Sequence, residues 1–228
     1  MSSHHIIRDK QEPALIIANG EACSMDLLEQ LLEWSPTVIV LDGALDRVMS
    51  LGIKVDVWLG DFDHSHEEVA DLDAYPLKKV FAPDQNKTDL EKAFEYLLAE
   101  GYPAVNVVWA TGKRMDHTLN NFHSLVRYGR QIKIVFFDDF STTYLLPPHF
   151  EKWYPAGTPL SLIPYGEARE VQSEGLVYEL NHPILKLSSV SSSQSSLPKR
   201  LRGDLLSKLQ APPQLKPPLQ PPPPRHQQ

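Results

Sequence analysis

"VDVWLGDFDHSHEE", residues 55–68, sets an apolar run directly against a burst of charge. The run 55–59 is apolar at every position but Asp56, Gly60 ends it, and Asp61 and Asp63 follow with Phe62 between them. A short, β-branched and nearly continuous apolar run is what a strand covered on both faces of a parallel sheet requires. Runs of the same kind recur at 14–18, 37–41, 105–109 and 132–137. Between them the spacing predicts helices over 25–34, 44–51, 89–100 and 115–128. Three of these stop before Gly52, Gly101 and Gly129, at the position where a left-handed cap favours glycine. Strand and helix in alternation predict an α/β fold, with a parallel-sheet layered N-terminal domain over 1–140. Its best-marked helix start is "NKTDLEKAFEYLLAEG", where Thr88 and Glu91 form a capping box ahead of the stripe Leu90, Ala93, Phe94, Leu97 and Leu98.

From Ser141 prolines punctuate the chain, and β-like pieces at 160–163 and 176–180 predict a small antiparallel domain over 141–187. The remaining residues, 188–228, are Ser-rich and then Pro-rich without one aromatic side chain. Such composition buries too little surface to offset chain entropy, so a disordered tail is expected, with Pro221–Pro224 in a polyproline II conformation. The net charge of −7 divides between a tail of +5 and −12 on everything before it, which argues against nucleic acid as the main partner. Cys23 is the only cysteine, so neither an internal disulfide nor a cysteine zinc cage can form. With no apolar run of membrane-spanning length and no signal-peptide pattern at the start, a cytoplasmic protein without membrane contact is expected.

The acidic residues fall where the ends of parallel strands should lie, which is where such sheets bind ligands. Asp42 follows the second run, Asp61 and Asp63 the third, Asp89 opens the capped helix, and Asp116 follows the fourth run across "ATGKRM". Each alone suits a turn or a helix cap. Together their repulsion calls for a cation, and carboxylates without cysteine favour a hard ion such as Mg2+. Lys87, the amide groups opening the Asp89 helix, and the loop Gly112–Lys113–Arg114 supply groups suited to phosphate, so a Mg–nucleotide site is expected. The loop is not a Walker motif, because Val107 and Arg114 occupy positions that need glycine and Ser or Thr. His64, His66, His117 and His123 show no H-E-x-x-H spacing.

"DGALDR", "GDFDHS", "DQNKTDLEKA" and "ATGKRMDHTLNN" come in the order and approximate spacing of the thiamine pyrophosphokinase family, which the chain resembles over about residues 14–180. Ala44, His64 and Lys113 depart from the family pattern without removing a carboxylate. The resemblance implies Mg-dependent transfer of pyrophosphate from ATP to the hydroxyl of thiamine, giving thiamine diphosphate and AMP. It implies that Asp61, Asp63 and Asp89 bind the metal, with Asp42 beside them. Gln85, Lys87, Thr88, Gly112 and Arg114 would meet the triphosphate, and Asp116 would hold Arg114 or line the acceptor pocket. It also implies a homodimer and a C-terminal β-sandwich that helps bind thiamine. The family's G-[TS]-S-N segment is absent, so an incomplete sandwich is expected. Two other readings follow from this: a catalytically impaired nucleotide-binding form whose Pro-rich tail recruits partners, or a pyrophosphokinase for another small alcohol.

Overall fold

The computed structural model describes residues 12–62, 75–187, 193–195 and 200–205. Contacts divide the chain into two units, 1–145 and 146–228. The first unit carries strands β1 (Ala14–Ile17), β2 (Val38–Leu41), β3 (Val57–Gly60), β4 (Lys78–Phe81), β5 (Ala104–Val108), β6 (Lys133–Phe137) and β7 (Thr142–Tyr144) in one sheet. Their order is β4-β3-β2-β1-β5-β6-β7, with every pair parallel except β6 with β7. The direction of strand succession reverses between β1 and β5, and all the parallel strands point their carboxyl ends at the same edge.

Alternation along β1 shows why the runs are apolar throughout. Ala14 and Ile16 face one hydrophobic cluster, and Leu15 and Ile17 face another. The first cluster receives Leu90, Ala93, Phe94 and Leu97 from α3 (Asp89–Ala99) and Leu125 and Tyr128 from α4 (Met115–Tyr128). The second receives Leu28 from α1 (Met25–Leu32) and Leu45 and Val48 from α2 (Leu45–Ser50). The sheet is therefore the middle of three layers, as the sequence predicts.

The Thr88 capping box is present: Thr88 Oγ1 accepts from the Glu91 amide at 3.4 Å, and the Glu91 carboxylate accepts from the Thr88 amide at 3.0 Å. From the same two turns, Tyr128 donates its hydroxyl to Glu95 at 2.8 Å and Arg127 reaches Glu91 at 3.0 Å, so α4 braces α3 through charged acceptors. Burial and the Glu95 carboxylate push the Tyr128 hydroxyl well above its ordinary range. Tyr128→Phe should lower stability by about 1.5 kcal/mol, the scale of a hydrogen bond to a charged acceptor, read as the midpoint shift in urea unfolding.

Two expectations need correction. Gly129 does not cap α4 in the left-handed region, since its φ is −61°. A Cβ there would lie 2.5 Å from the Leu125 carbonyl oxygen, so close approach and not backbone freedom requires the glycine. The strand expected at 176–180 is instead the connection between β10 (Glu167–Glu174) and β11 (Asn181–Lys186). Glu179 accepts there from the Gly175 and Leu176 amides at 2.7 and 3.2 Å, tying the backbone into a turn while Leu176 and Leu180 are buried. One strand, β4, gave no apolar signal. It lies at one end of the sheet among the described residues, with Lys78 and Lys79 exposed.

The second unit has a four-stranded antiparallel sheet, β11-β10-β13-β8, with β8 at His149–Trp153 and β13 at Arg200–Leu205. β9 (Pro159–Ser161) pairs with β12 (Ser193–Ser195). Leu160 of β9 packs with Val171, Leu176, Leu180 and Leu185, so the two sheets share one small core. Both β12 and β13 come from the segment whose composition predicts disorder. Backbone pairing accounts for this, because a ladder between β8 and β10 satisfies peptide groups whatever the side chains. Residues 206–228, including the proline run, lie outside the described residues. No helix among the described residues is long and apolar enough to cross a membrane.

Candidate functional site

Three of the expected aspartates, Asp42, Asp61 and Asp89, come together at the carboxyl edge of the parallel sheet, while Asp116 is held by Arg114. Asp42 follows β2 and heads a short 3-10 turn, Asp42–Ala44, with only 1% of its surface exposed. The indole Nε1 of Trp58, on β3, donates to its Oδ1 at 3.2 Å. Gly60 ends β3 against this carboxylate: a Cβ at Gly60 would sit 2.4 Å from the Asp42 Cβ. Asp61 comes next and accepts from the Gln85 amide nitrogen at 2.7 Å. Asp89, at the first position of α3, faces the same space.

Lys92, which the sequence reading did not include, sits among them. Its Nζ lies 3.0 Å from Asp89 and 4.0 Å from Asp61, and the residue is 7% exposed. Burial raises the Asp89 carboxyl above the ordinary carboxylate range, Lys92 opposes the shift, and Asp61 and Asp42 add to it. Three carboxylates far apart in sequence thus act on one another, with a single ammonium close to two of them. The signal that could have found Lys92 is its place three residues after Asp89, one turn along the same helix.

Asp63, His64 and His66 lie outside the described residues. Among the described residues no three His, Cys, Asp or Glu side chains stand at metal-binding spacing. The donor chemistry present nevertheless suits a hard divalent ion, since Asp61 and Asp89 offer carboxylate oxygens already drawn to a cation.

Arg114, before α4, is gripped by Asp116 through two hydrogen bonds, Nε to Oδ1 at 3.1 Å and Nη2 to Oδ2 at 2.6 Å. This bidentate contact holds the Asp116 carboxyl down to about 2. Because the folded value is below the unfolded one, the contribution of the pair is full above the unfolded value near 4 and disappears as pH falls through about 2. A carboxyl 13C titration should accordingly show Asp116 ionised at pH 3, while unfolded-chain aspartates are mostly protonated there. His117 and His123 are exposed on α4.

Two of the expected phosphate contacts are engaged elsewhere. Lys87 Nζ pairs with Glu95 at 2.8 Å and Asp84 at 3.7 Å. The Thr88 hydroxyl serves the helix cap. Gly112 has φ +75° and lies against Glu21, so it brings the β5–α4 loop onto the β1–α1 loop. That junction, where the strand order reverses, is also built by Gly20, Arg47 and Trp109, to which the sequence assigned no site role, together with Lys113. Gly20 donates its amide to the Trp109 carbonyl at 2.6 Å, and Arg47 donates to the Gly20 carbonyl at 3.0 Å. The Arg47 guanidinium stacks 4.4 Å from the Trp109 ring centre, and Lys113 Nζ donates to the Asn19 carbonyl at 3.1 Å. Phe62, Trp109 and Lys113 all have φ between 51° and 57°, a costly backbone for residues with side chains, and all three lie at this one edge. Strain of this kind gathers where a site must be shaped.

A model of the thiamin pyrophosphokinase catalytic domain matches residues 28–136. Thiamin pyrophosphokinase 1 of Caenorhabditis elegans is 23% identical in an alignment of 208 positions that covers 84% of this chain and 84% of that one. The crystal structure of thiamine pyrophosphokinase from Bacillus subtilis superposes with a TM-score of 0.72 at 23% identity, covering 85% of this chain and 94% of that one. That from Candida albicans gives 0.69 at 14% identity, covering 85% and 86%. The solved structures establish the fold, and the matched span takes in every aspartate of the edge described above. Over residues 28–136 the chain is thus similar to the catalytic domain of thiamin pyrophosphokinases, and it shares the fold of their solved structures.

Proposed function

We propose that this protein is a Mg-dependent thiamin pyrophosphokinase, moving the β- and γ-phosphates of ATP together onto the hydroxyethyl oxygen of thiamine. A bond forms from that oxygen to the β-phosphorus, the bond from the β-phosphorus to the α,β-bridging oxygen breaks, and AMP leaves. The hydroxyl proton passes to solvent or to a nearby carboxylate. The observation that carries this reading is the convergence of Asp42, Asp61 and Asp89 at the carboxyl edge of β2, β3 and the start of α3.

Asp61, Asp63 and Asp89 would hold Mg2+, which when bound neutralises charge on the triphosphate. Asp42, fixed by Trp58, orients Asp61 across Gly60. Gln85 steadies Asp61. Arg114, aligned by Asp116, presents guanidinium N–H groups to phosphate oxygens, and Gly112 leaves backbone close at hand. Lys87 and Thr88 set the entry to α3, whose N-terminal amides favour an anion. Catalysis here is alignment and charge neutralisation, with no covalent nucleophile. The acidic character of the first 187 residues suits a cationic thiazolium acceptor. In this reading the protein works in the cytoplasm as a homodimer, as the family resemblance implies.

The experiment is AMP release from Mg–ATP by the full chain, with and without thiamine, alongside equilibrium binding of ATP. Thiamine-dependent AMP supports the proposal. ATP binding without AMP favours a nucleotide-binding protein that recruits partners, and AMP with another alcohol alone favours a different acceptor.

A further inference from the structure

Lys92 is a buried side chain whose ammonium lies 3.0 Å from Asp89, a carboxylate expected to bind metal. Its side chain is only 6% exposed, while those of Asp61 and Asp89 are 17% and 33% exposed. The carboxylates are thus more exposed than the ammonium that pairs with them. A divalent ion and this ammonium compete for the same oxygen atoms.

We propose that Lys92 is a counter-ion gate: without nucleotide it occupies the Asp61–Asp89 pair and weakens the binding of a lone divalent ion, and an arriving triphosphate draws the ammonium to its own oxygens. The pair is released to the metal only when the metal comes with phosphate. The gate rests on the Mg–nucleotide reading and adds to it an order of events, in which metal and nucleotide enter as one complex. Two observations support it. The Lys92 ammonium lies within ion-pair distance of both carboxylates, 3.0 Å from Asp89 and 4.0 Å from Asp61. The stem of Lys92 rises from the same helix turn as Asp89, so a change of side-chain torsion alone moves the ammonium without shifting the backbone.

The test uses Mn2+ as the probe, counted by the electron-paramagnetic signal of the free ion, with the full chain and its Lys92→Met variant. Each is titrated with Mn2+ alone and with Mn2+ plus α,β-methylene ATP, which cannot release AMP. Removing a unit positive charge so close to two carboxylates should tighten binding of Mn2+ alone by about tenfold, and binding in the presence of the analogue should weaken or stay level. A purely structural role for Lys92 would weaken both. Lys92→Gln, which keeps polarity without charge, should follow Lys92→Met, and circular dichroism checks that each variant is folded. The gate is overturned if the neutral variants bind lone Mn2+ no more tightly than the parent while Mn2+ plus analogue still binds. If no Mn2+ binds to any form even with the analogue, the metal site itself is wrong and the gate falls with it.

Discussion

Asp61→Asn should reduce thiamine-dependent AMP formation by about a thousandfold, the scale seen when one preorganised electrostatic group is removed from a transition-state site. The substitution keeps the shape of the side chain and an oxygen able to accept from Gln85, whose amide lies 2.7 Å from the carboxylate. What it removes is negative charge. Because Asp61 helps raise the Asp89 carboxyl, losing it should let Asp89 ionise at lower pH. Thermal unfolding should barely move, since relief of repulsion between Asp61 and its acidic neighbours offsets the lost attraction to Lys92. Steady-state rates at saturating Mg–ATP and thiamine decide the matter. A variant turning over at the parental rate would remove Asp61 from the reaction and with it the proposed metal site.

Gly20→Ala attacks the same edge through the backbone. A Cβ at Gly20 would meet the Thr111 and Trp109 carbonyl oxygens, each at 2.3 Å, where neither neighbour is a flexible side chain able to swing aside. The β1–α1 and β5–α4 loops must then part, breaking the 2.6 Å bond from the Gly20 amide to Trp109 and the Arg47 contact beside it. We expect a loss of about 3 kcal/mol in stability, the upper end of what an overpacked contact costs. The urea midpoint should fall while the slope of the transition is unchanged. A variant as stable as the parent would show that the two loops are not tightly apposed.

Much of the first unit could be read from residue order because local and long-range requirements agree there. The bounds expected for the helix 115–128 are those observed, and the Thr88–Glu91 box forms with both of its hydrogen bonds. Strands covered on both faces announced themselves by continuous apolar runs. β4 did not, because an end strand with exposed Lys78 and Lys79 packs only Val80 against the core. Gly129 was misread for a related reason: sequence shows that a side chain is missing but not whether the backbone turns or a neighbour presses in. The clustering of Asp42, Asp61 and Asp89 was legible since strand ends converge in any parallel sheet. Lys92 was not, because a lysine on a helix usually faces water, and only the fold reveals that this one is buried against Asp89 and near Asp61. In the second unit, β13 arises from backbone pairing with β8 and β10, which composition does not encode.

The end strand has one more effect. Among the described residues β4 leaves one flank of the sheet without a neighbour, an invitation for another chain to add itself there. Lys78 extends over one face to Tyr96 and Glu100, at 3.1 and 3.3 Å, while Lys79 lies over the other, 5.8 Å from the Trp58 ring. A strand docking at this rim would have to strip water from both ammonium groups at once. Charge of this kind at an edge discourages the addition of a further strand there.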